Sequence, residues 1–166
     1  VNPNAIAEYD NIKTRYEFLT KQQGDLLAAK ADLLATMNEL DEEVKTRFKA
    51  MFDATDAAFQ EIFPKMFGGG HAHLSLTDPD DLLNTGLEIE AQPPGKKLSH
   101  MSLLSGGERA LTAIVLLFAI LQVRPVPFSI LDEVEAALDD VNVNRFGEFL
   151  RHYSSDTQFI VITHRR

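Results

Sequence analysis

Cysteine is absent from these 166 residues. Its absence excludes a disulfide framework and any zinc site built on thiolates, and fits a reducing compartment. A basic surplus is also missing, since the formal net charge is −9. Nucleic-acid affinity comes largely from Lys and Arg replacing counterions, so the net charge taken alone argues against an electrostatic DNA-binding surface, though not against a local basic patch. Lys96-Lys97 and Arg165-Arg166 are too small to form one. No apolar run has the length of a membrane span. The longest, Ala110–Val123, is broken by Thr112 and Gln122 and predicts a buried helix. The start, Val1-Asn2-Pro3, has no basic segment leading into an apolar one, so no secretory leader is visible. With no Met at the start, the chain is expected to be a fragment. Finally, no window fits the glycine-rich phosphate loop G-x-x-x-x-G-K-[ST]. The nearest approach, Gly95-Lys96-Lys97 with Ser99, would put the first glycine of the pattern on Glu90.

What is present begins with a heptad. One row is Tyr9, Tyr16, Gln23, Lys30, Met37, Val44 and Met51; the other is Ala5, Ile12, Leu19, Leu26, Leu33, Leu40 and Arg47. The spacing alternates three and four without a slip over roughly six heptads, the pattern of a coiled coil. At 1.5 Å per residue it predicts a rod on the order of 70 Å long. Gln23, Lys30 and Arg47 interrupt the seam, which weakens a coil but can fix its register. A single strand of coil cannot bury its stripe, so a partner helix is expected. We read residues 1–55 as this arm and 56–166 as a globular part, for which a hydrophobic content of 45% allows a real core.

After the arm, Asp56–Phe67 predicts an amphipathic helix with Phe59, Ile62, Phe63 and Met66 on one face. Gly68-Gly69-Gly70 should end it. Two alternating stretches, Ala72–Thr77 and Gly86–Gln92, read as an antiparallel pair around the turn signal Asp78-Pro79-Asp80. The pattern then becomes helix (Glu108–Val123), strand (Pro127–Leu131), helix (Val141–Tyr153) and strand (Gln158–Thr163). Apolar strands alternating with helices imply a parallel sheet covered on both faces.

Three short elements can carry chemistry. Phe128-Ser129-Ile130-Leu131-Asp132-Glu133 is an apolar strand ending in two acids. Asp132 there could help hold Mg²⁺ on phosphates, with Glu133 polarising an attacking water; alternatively Asp132 merely caps the next turn. Ser105-Gly106-Gly107-Glu108 opens a helix, where bare amides and the helix dipole favour an anion. A plain capping box of Ser105 with Glu108 explains the same residues. His164 stands just past an apolar strand, on the edge of a parallel sheet that holds ligands. The remaining histidines, His71, His73, His100 and His152, show no ligand-like spacing with carboxylates and read as surface or strand residues.

The order of these elements is specific. The Ser-Gly-Gly-Glu helix start comes first, the acidic strand end second and His164 third, and each falls at a helix start or a strand end. LSGGE at Leu104–Glu108 resembles the signature motif of ATP-binding-cassette ATPases. FSILDE resembles their Walker B strand with its catalytic glutamate, ALDD at Ala137–Asp140 their D-loop, and Thr163–Arg165 their switch-histidine region. The heptad arm narrows the resemblance to the SMC ATPases that organise chromosomes, as do Ser102–Leu121, Phe67–Gly70 and Ala91–Lys97. It covers essentially the whole chain.

This resemblance implies an α/β fold: the C-terminal lobe of an ABC-type ATPase head, mostly parallel sheet with helices, plus a long N-terminal coiled-coil helix. It implies ATP and Mg²⁺. Glu133 and His164 would be catalytic and Asp132 the Mg²⁺ ligand. Ser105, Gly106, Gly107 and Glu108 would bind ATP held on a second head, and Asp139 would sit at the interface. The partners implied are the N-terminal half of the same head, a second head, a kleisin subunit and, through the assembly, DNA. The setting implied is the cytoplasm, on the nucleoid, with no membrane partner. A coiled-coil DNA-repair ATPase and a non-catalytic scaffold are the alternative readings; intact Asp132 and Glu133 argue against the scaffold.

Overall fold

The computed structural model describes residues 5–155 and 157–164, with no side-chain description for residues 5 and 7. The readings placed on Val1-Asn2-Pro3 and Arg165-Arg166 lie outside the described residues. The chain forms two units, Val1–Lys45 and Thr46–Arg166. Helix α1 (Ala5–Phe67) is continuous through both.

In the first unit the heptad rows lie open. Ile12, Tyr16, Leu26 and Leu33 are 67 to 71% exposed, and Leu19, Met37 and Leu40 are at least half exposed. Each such side chain forgoes on the order of 1.5–3 kcal/mol of burial energy. Nothing among the described residues of that unit covers them.

The second unit has a core, and the end of α1 enters it as the 3.6-residue period predicts. Phe59, Ile62, Phe63 and Met66 are at most 1% exposed. The helix stops at Gly68, Gly69 and Gly70, all at positive φ, with the Gly69 N–H donating to the Pro64 carbonyl at 2.8 Å. Gly70 is needed for a steric reason as well, because a Cβ there would lie 2.2 Å from the Gln92 carbonyl oxygen. The Arg145 guanidinium donates to the Met66 carbonyl at 3.2 Å, meeting the helix where its dipole is negative.

Strands β1 (His71–Leu76) and β2 (Leu87–Gln92) pair antiparallel, with His71 opposite Gln92 and Leu76 opposite Leu87. The Asp56 carboxylate on α1 accepts from the Leu74 N–H at 2.7 Å, fastening the helix to this outer strand. A third strand, β3 (Ser99–His100), joins β2 antiparallel; it is too short to leave an alternating pattern in the sequence. A 3₁₀ turn (Met101–Leu103) leads to α2 (Gly106–Val123), then β4 (Phe128–Asp132), α3 (Asp140–Tyr153) and β5 (Gln158–Ile162).

By length and composition α2 could cross a membrane, with a mean hydropathy of 1.5 over 18 residues. Here its apolar side chains serve the core: Leu111, Val115, Phe118 and Ala119 are fully buried. The Phe118 ring lies 5.5 to 6.3 Å from the rings of Phe146, Phe149, Tyr153 and Phe159, joining α2, α3 and β5.

The sheet differs from expectation in two ways. It is not mostly parallel: the described residues form a three-stranded antiparallel sheet and a separate parallel pair, β4 with β5. Only two strands among the described residues run parallel, so no larger parallel sheet forms from them alone. Nor is the pair covered on both faces. Leu131 points inward, 4% exposed, and Phe159 meets Phe118, but Phe128, Ile130, Ile160 and Ile162 remain 45 to 58% exposed. Successive strand residues face opposite sides, and the core covers only one of them.

Candidate functional site

The carboxyl ends of β4 and β5 bring three predicted residues to one edge. Asp132 is the last residue of β4, opposite Ile162, and is exposed. Glu133 comes next with φ +50, a left-handed conformation that costs a non-glycine residue about 1–3 kcal/mol. Its N–H donates to the Ile162 carbonyl at 2.9 Å, so the backbone pairing continues one step beyond β4 as the chain turns. That turn aims the Glu133 carboxylate at His164, and Oε1 lies 2.6 Å from the imidazole Nε2. The side chains are 50% and 87% exposed. A contact this open contributes under about 1 kcal/mol to stability, so its interest is geometric.

Two residues past Glu133 the chain buries another acid. Glu135 is 4% exposed. Its Oε1 accepts from the Thr163 hydroxyl, while its Oε2 has no hydrogen-bond partner among the described residues. An unmet buried oxygen of this kind costs about 1–3 kcal/mol or more. The turn is tied by N–H bonds from Ala136 to the Glu133 carbonyl at 3.1 Å and from Leu138 to the Glu135 carbonyl at 2.9 Å. It delivers Asp139 to the N-cap of α3, where the carboxylate accepts from the Asn142 N–H at 2.8 Å.

At the start of α2, Ser105 and Glu108 form the capping box expected from their spacing. Glu108 Oε2 accepts from the Ser105 N–H at 3.0 Å and from its hydroxyl at 2.7 Å. Ser105 Oγ in turn accepts from the Glu108 N–H at 3.4 Å. The Lys96 ammonium reaches the same carboxylate at 2.8 and 2.9 Å. Hydrogen bonds from Lys96 first, then from Ser105, hold the Glu108 carboxyl below its usual range, against a small opposing effect of burial. In the sequence Lys96 belongs to a failed phosphate loop, a small basic pair and the Ala91–Lys97 stretch, none of which points to Glu108. Its partner lies in the next helix, beyond the reach of any local pattern.

The two glycines differ. A Cβ on Gly106 would meet nothing within 4 Å, whereas one on Gly107 would lie 3.0 Å from the Ala137 carbonyl. Gly107 therefore lets α2 pack against the turn after β4. Ser105, Gly107, Glu108 and Asp139 line one cleft of about 600 Å³ together with Arg145. Asp132, Glu133 and His164 are not in its lining. The predicted residues thus form two groups. A second cavity of about 470 Å³, lined by Glu61, Lys65, Gln122 and Tyr153 among others, contains none of them.

The other histidines are less isolated than their sequence spacing implies. His73 Nε2 lies 3.0 Å from Glu90, and His100 lies 3.8 Å from both Glu88 and Glu90. These contacts run across strands, where neighbours are remote in sequence. No group of three or more His, Asp or Glu among the described residues could hold a metal ion.

A family profile described as RecF/RecN/SMC N terminal domain matches residues 11–166. That description names an N terminal domain, whereas the resemblance of the motifs implies a C-terminal lobe. The chain is 60% identical over all its 166 residues to the chromosome partition protein Smc of Lactiplantibacillus plantarum, and spans 14% of that protein's length. Among solved structures, it resembles an Smc head domain with an extended coiled coil, derived from Pyrococcus furiosus and bound to the C-terminal domain of ScpA. The TM-score is 0.75 at 41% identity, covering 95% of this chain and 40% of that one. A structure from work on ATP-driven dimerization and DNA stimulated activation of SMC ATPases matches with a TM-score of 0.67 at 45% identity, covering 73% of each chain.

Proposed function

Because the chain belongs to the RecF/RecN/SMC family, we propose that it is the part of an SMC-type ATPase head that carries the signature, the acidic strand and the switch histidine. The phosphate loop then comes from another segment of the head. The parent's work in this reading is ATP-driven condensation and segregation of chromosomes, in the cytoplasm on the nucleoid. The observation that carries it is the 2.6 Å contact of Glu133 with His164, on the strand edge where Asp132 emerges.

Each residue has a task. Glu133 orients and polarises the water that attacks the γ-phosphate. His164 fixes the direction of the Glu133 carboxylate and can hydrogen-bond a phosphate oxygen. Asp132 would hold Mg²⁺. Its carboxylate is exposed at the ligand edge, and Mg²⁺ usually takes one or two protein carboxylates with waters and phosphates completing its shell, so a single aspartate fits. Once bound, the ion would neutralise charge developing on the β- and γ-phosphates.

Ser105, Gly106 and Gly107 face ATP held by a second head, through first-turn amides and the positive end of α2. Glu108 acts indirectly, by orienting Ser105. The separation of the cleft lined by Ser105, Gly107 and Glu108 from Asp132, Glu133 and His164 supports this sharing of each ATP between two heads. Asp139, in the same cleft, lies at the head–head interface. ATP joins the heads because neither alone offers a full set of ligands. The open heptad rows of residues 1–55 pair with a second helix of the arm. A kleisin subunit is the further partner, with residues 33–63 of α1 and the β1–β2 pair as candidate surfaces, and DNA binds to the assembled complex.

The test is calorimetric. The chain alone should show no measurable ATP binding, and a head that includes the phosphate loop should bind ATP with Mg²⁺. In that head Ser105→Arg should keep ATP binding while abolishing ATP-dependent dimerisation by light scattering. Loss of ATP binding by the single Ser105→Arg head would place the signature in its own head's pocket and sink the two-head reading.

A further inference from the structure

We infer that Glu135 is a positioning residue for the Glu133–His164 pair, acting through the hydrogen bond it accepts from Thr163; this rests on the ATPase reading above. Glu135 lies two residues past Glu133 in the turn that leaves β4, and Thr163 immediately precedes His164. The bond between them joins the turn after β4 to the segment after β5, the same two segments that Glu133 and His164 bring into contact. Backbone pairing reaches Ile162, through the Glu133 N–H. Thr163 and His164 lie beyond β5, where Glu135 continues the connection through side chains.

Three observations separate this role from core filling. Glu135 is as buried as Leu131 before it and Leu138 after it in the chain, yet it is an acid with an oxygen that has no partner among the described residues; departures of this kind from an apolar interior concentrate at functional sites. Glu133 is held in the left-handed region, a conformation that persists only where the surroundings enforce it. His164 is 87% exposed, so packing does little to fix its ring, and its placement depends on the residue before it.

The test uses the complete head, with its phosphate loop and a second head present. Glu135→Ala and Thr163→Val should each lower kcat by about 10- to 100-fold, as expected for misplacement on the order of 1 Å. KM for ATP and ATP-dependent dimerisation should stay within about twofold of the parent, since binding is not what changes. The double variant should lose no more than either single one, because both remove the same bond. Glu135→Gln keeps an oxygen for Thr163 and should recover most of the turnover. A kcat for Thr163→Val within about twofold of the parent overturns the inference, as does a loss confined to KM. Failure of Glu135→Gln to recover turnover also overturns it. If Glu135→Ala does not fold, Thr163→Val removes the bond from the other side and decides the question. Glu133→Gln in the same preparation separates the two levels. Its continued turnover would defeat the ATPase reading itself; its inactivity beside an active Thr163→Val would defeat this inference alone.

Discussion

Glu133 and His164 meet at 2.6 Å although they leave two different strands, with the whole of α3 between them in the chain. The parallel register sets this up. Asp132 pairs with Ile162, so the residues just past each strand emerge side by side, and the left-handed turn at Glu133 closes the remaining gap. An acid and an imidazole from adjacent strand ends can together orient one water.

Glu133→Gln changes the charge of that pair and little of its shape. In a head with its phosphate loop, it should bind ATP, slow hydrolysis by about 10²- to 10⁴-fold, and accumulate an ATP-bound head dimer on size-exclusion chromatography. Unchanged turnover would remove Glu133 from catalysis.

A glycine series should sort folding from ligand approach. Gly70→Ala forces a Cβ to 2.2 Å from the Gln92 carbonyl at φ +79, and should cost at least about 1–3 kcal/mol in denaturant unfolding. Gly106→Ala meets nothing and should fold normally, while weakening ATP-dependent dimerisation because a methyl now stands where a phosphate approaches. Gly107→Ala, 3.0 Å from the Ala137 carbonyl, should show a milder folding loss than Gly70→Ala. An unfolded Gly106→Ala would refute this division.

The Glu108 carboxyl is held below its ordinary value of 4.5, first by Lys96 and then by Ser105. A carboxyl depressed in the folded state stabilises fully above its unfolded pKa, and that contribution is lost as pH falls through the folded one. The melting-temperature gap between the parent and Glu108→Gln should therefore be widest above pH 4.5 and close below it. High salt should narrow it, since Lys96 is 55% exposed. A gap independent of pH would show that the charge on Glu108 contributes nothing.

Core and arm should respond oppositely to truncation. Phe118→Ala removes a fully buried ring and should cost about 3–5 kcal/mol, read by denaturant unfolding of the chain. Leu26→Ala, at a position 71% exposed, should alter that unfolding by no more than about 0.5 kcal/mol while weakening association with the partner helix of the arm. A large folding loss from Leu26→Ala would mean that the heptad stripe is already covered within this chain.

Local patterns make much of this legible in the sequence. The Phe59, Ile62, Phe63 and Met66 face obeys the helical period, three glycines stop α1, and the spacing of Ser105 and Glu108 announces their capping box. What escapes is non-local. Lys96 finds Glu108 across a loop, Glu90 finds His73 and His100 across strands, and Arg145 on α3 finds the Met66 carbonyl at the end of α1. Glu135 resembles any acid in a polar turn, and only the fold hides it. The strands β4 and β5 read as buried on both faces because their residues are apolar throughout, yet nothing among the described residues covers one of those faces.

The capping box has a final consequence. The Ser105 hydroxyl already donates to Glu108 at 2.7 Å, so it enters any encounter with its hydrogen spoken for. An anion that takes this donor must displace the carboxylate, trading one charge-assisted bond for another of similar strength. The net gain is small by construction, and Glu108 stands ready to reclaim the hydroxyl when the anion leaves. Such a surface grips without locking.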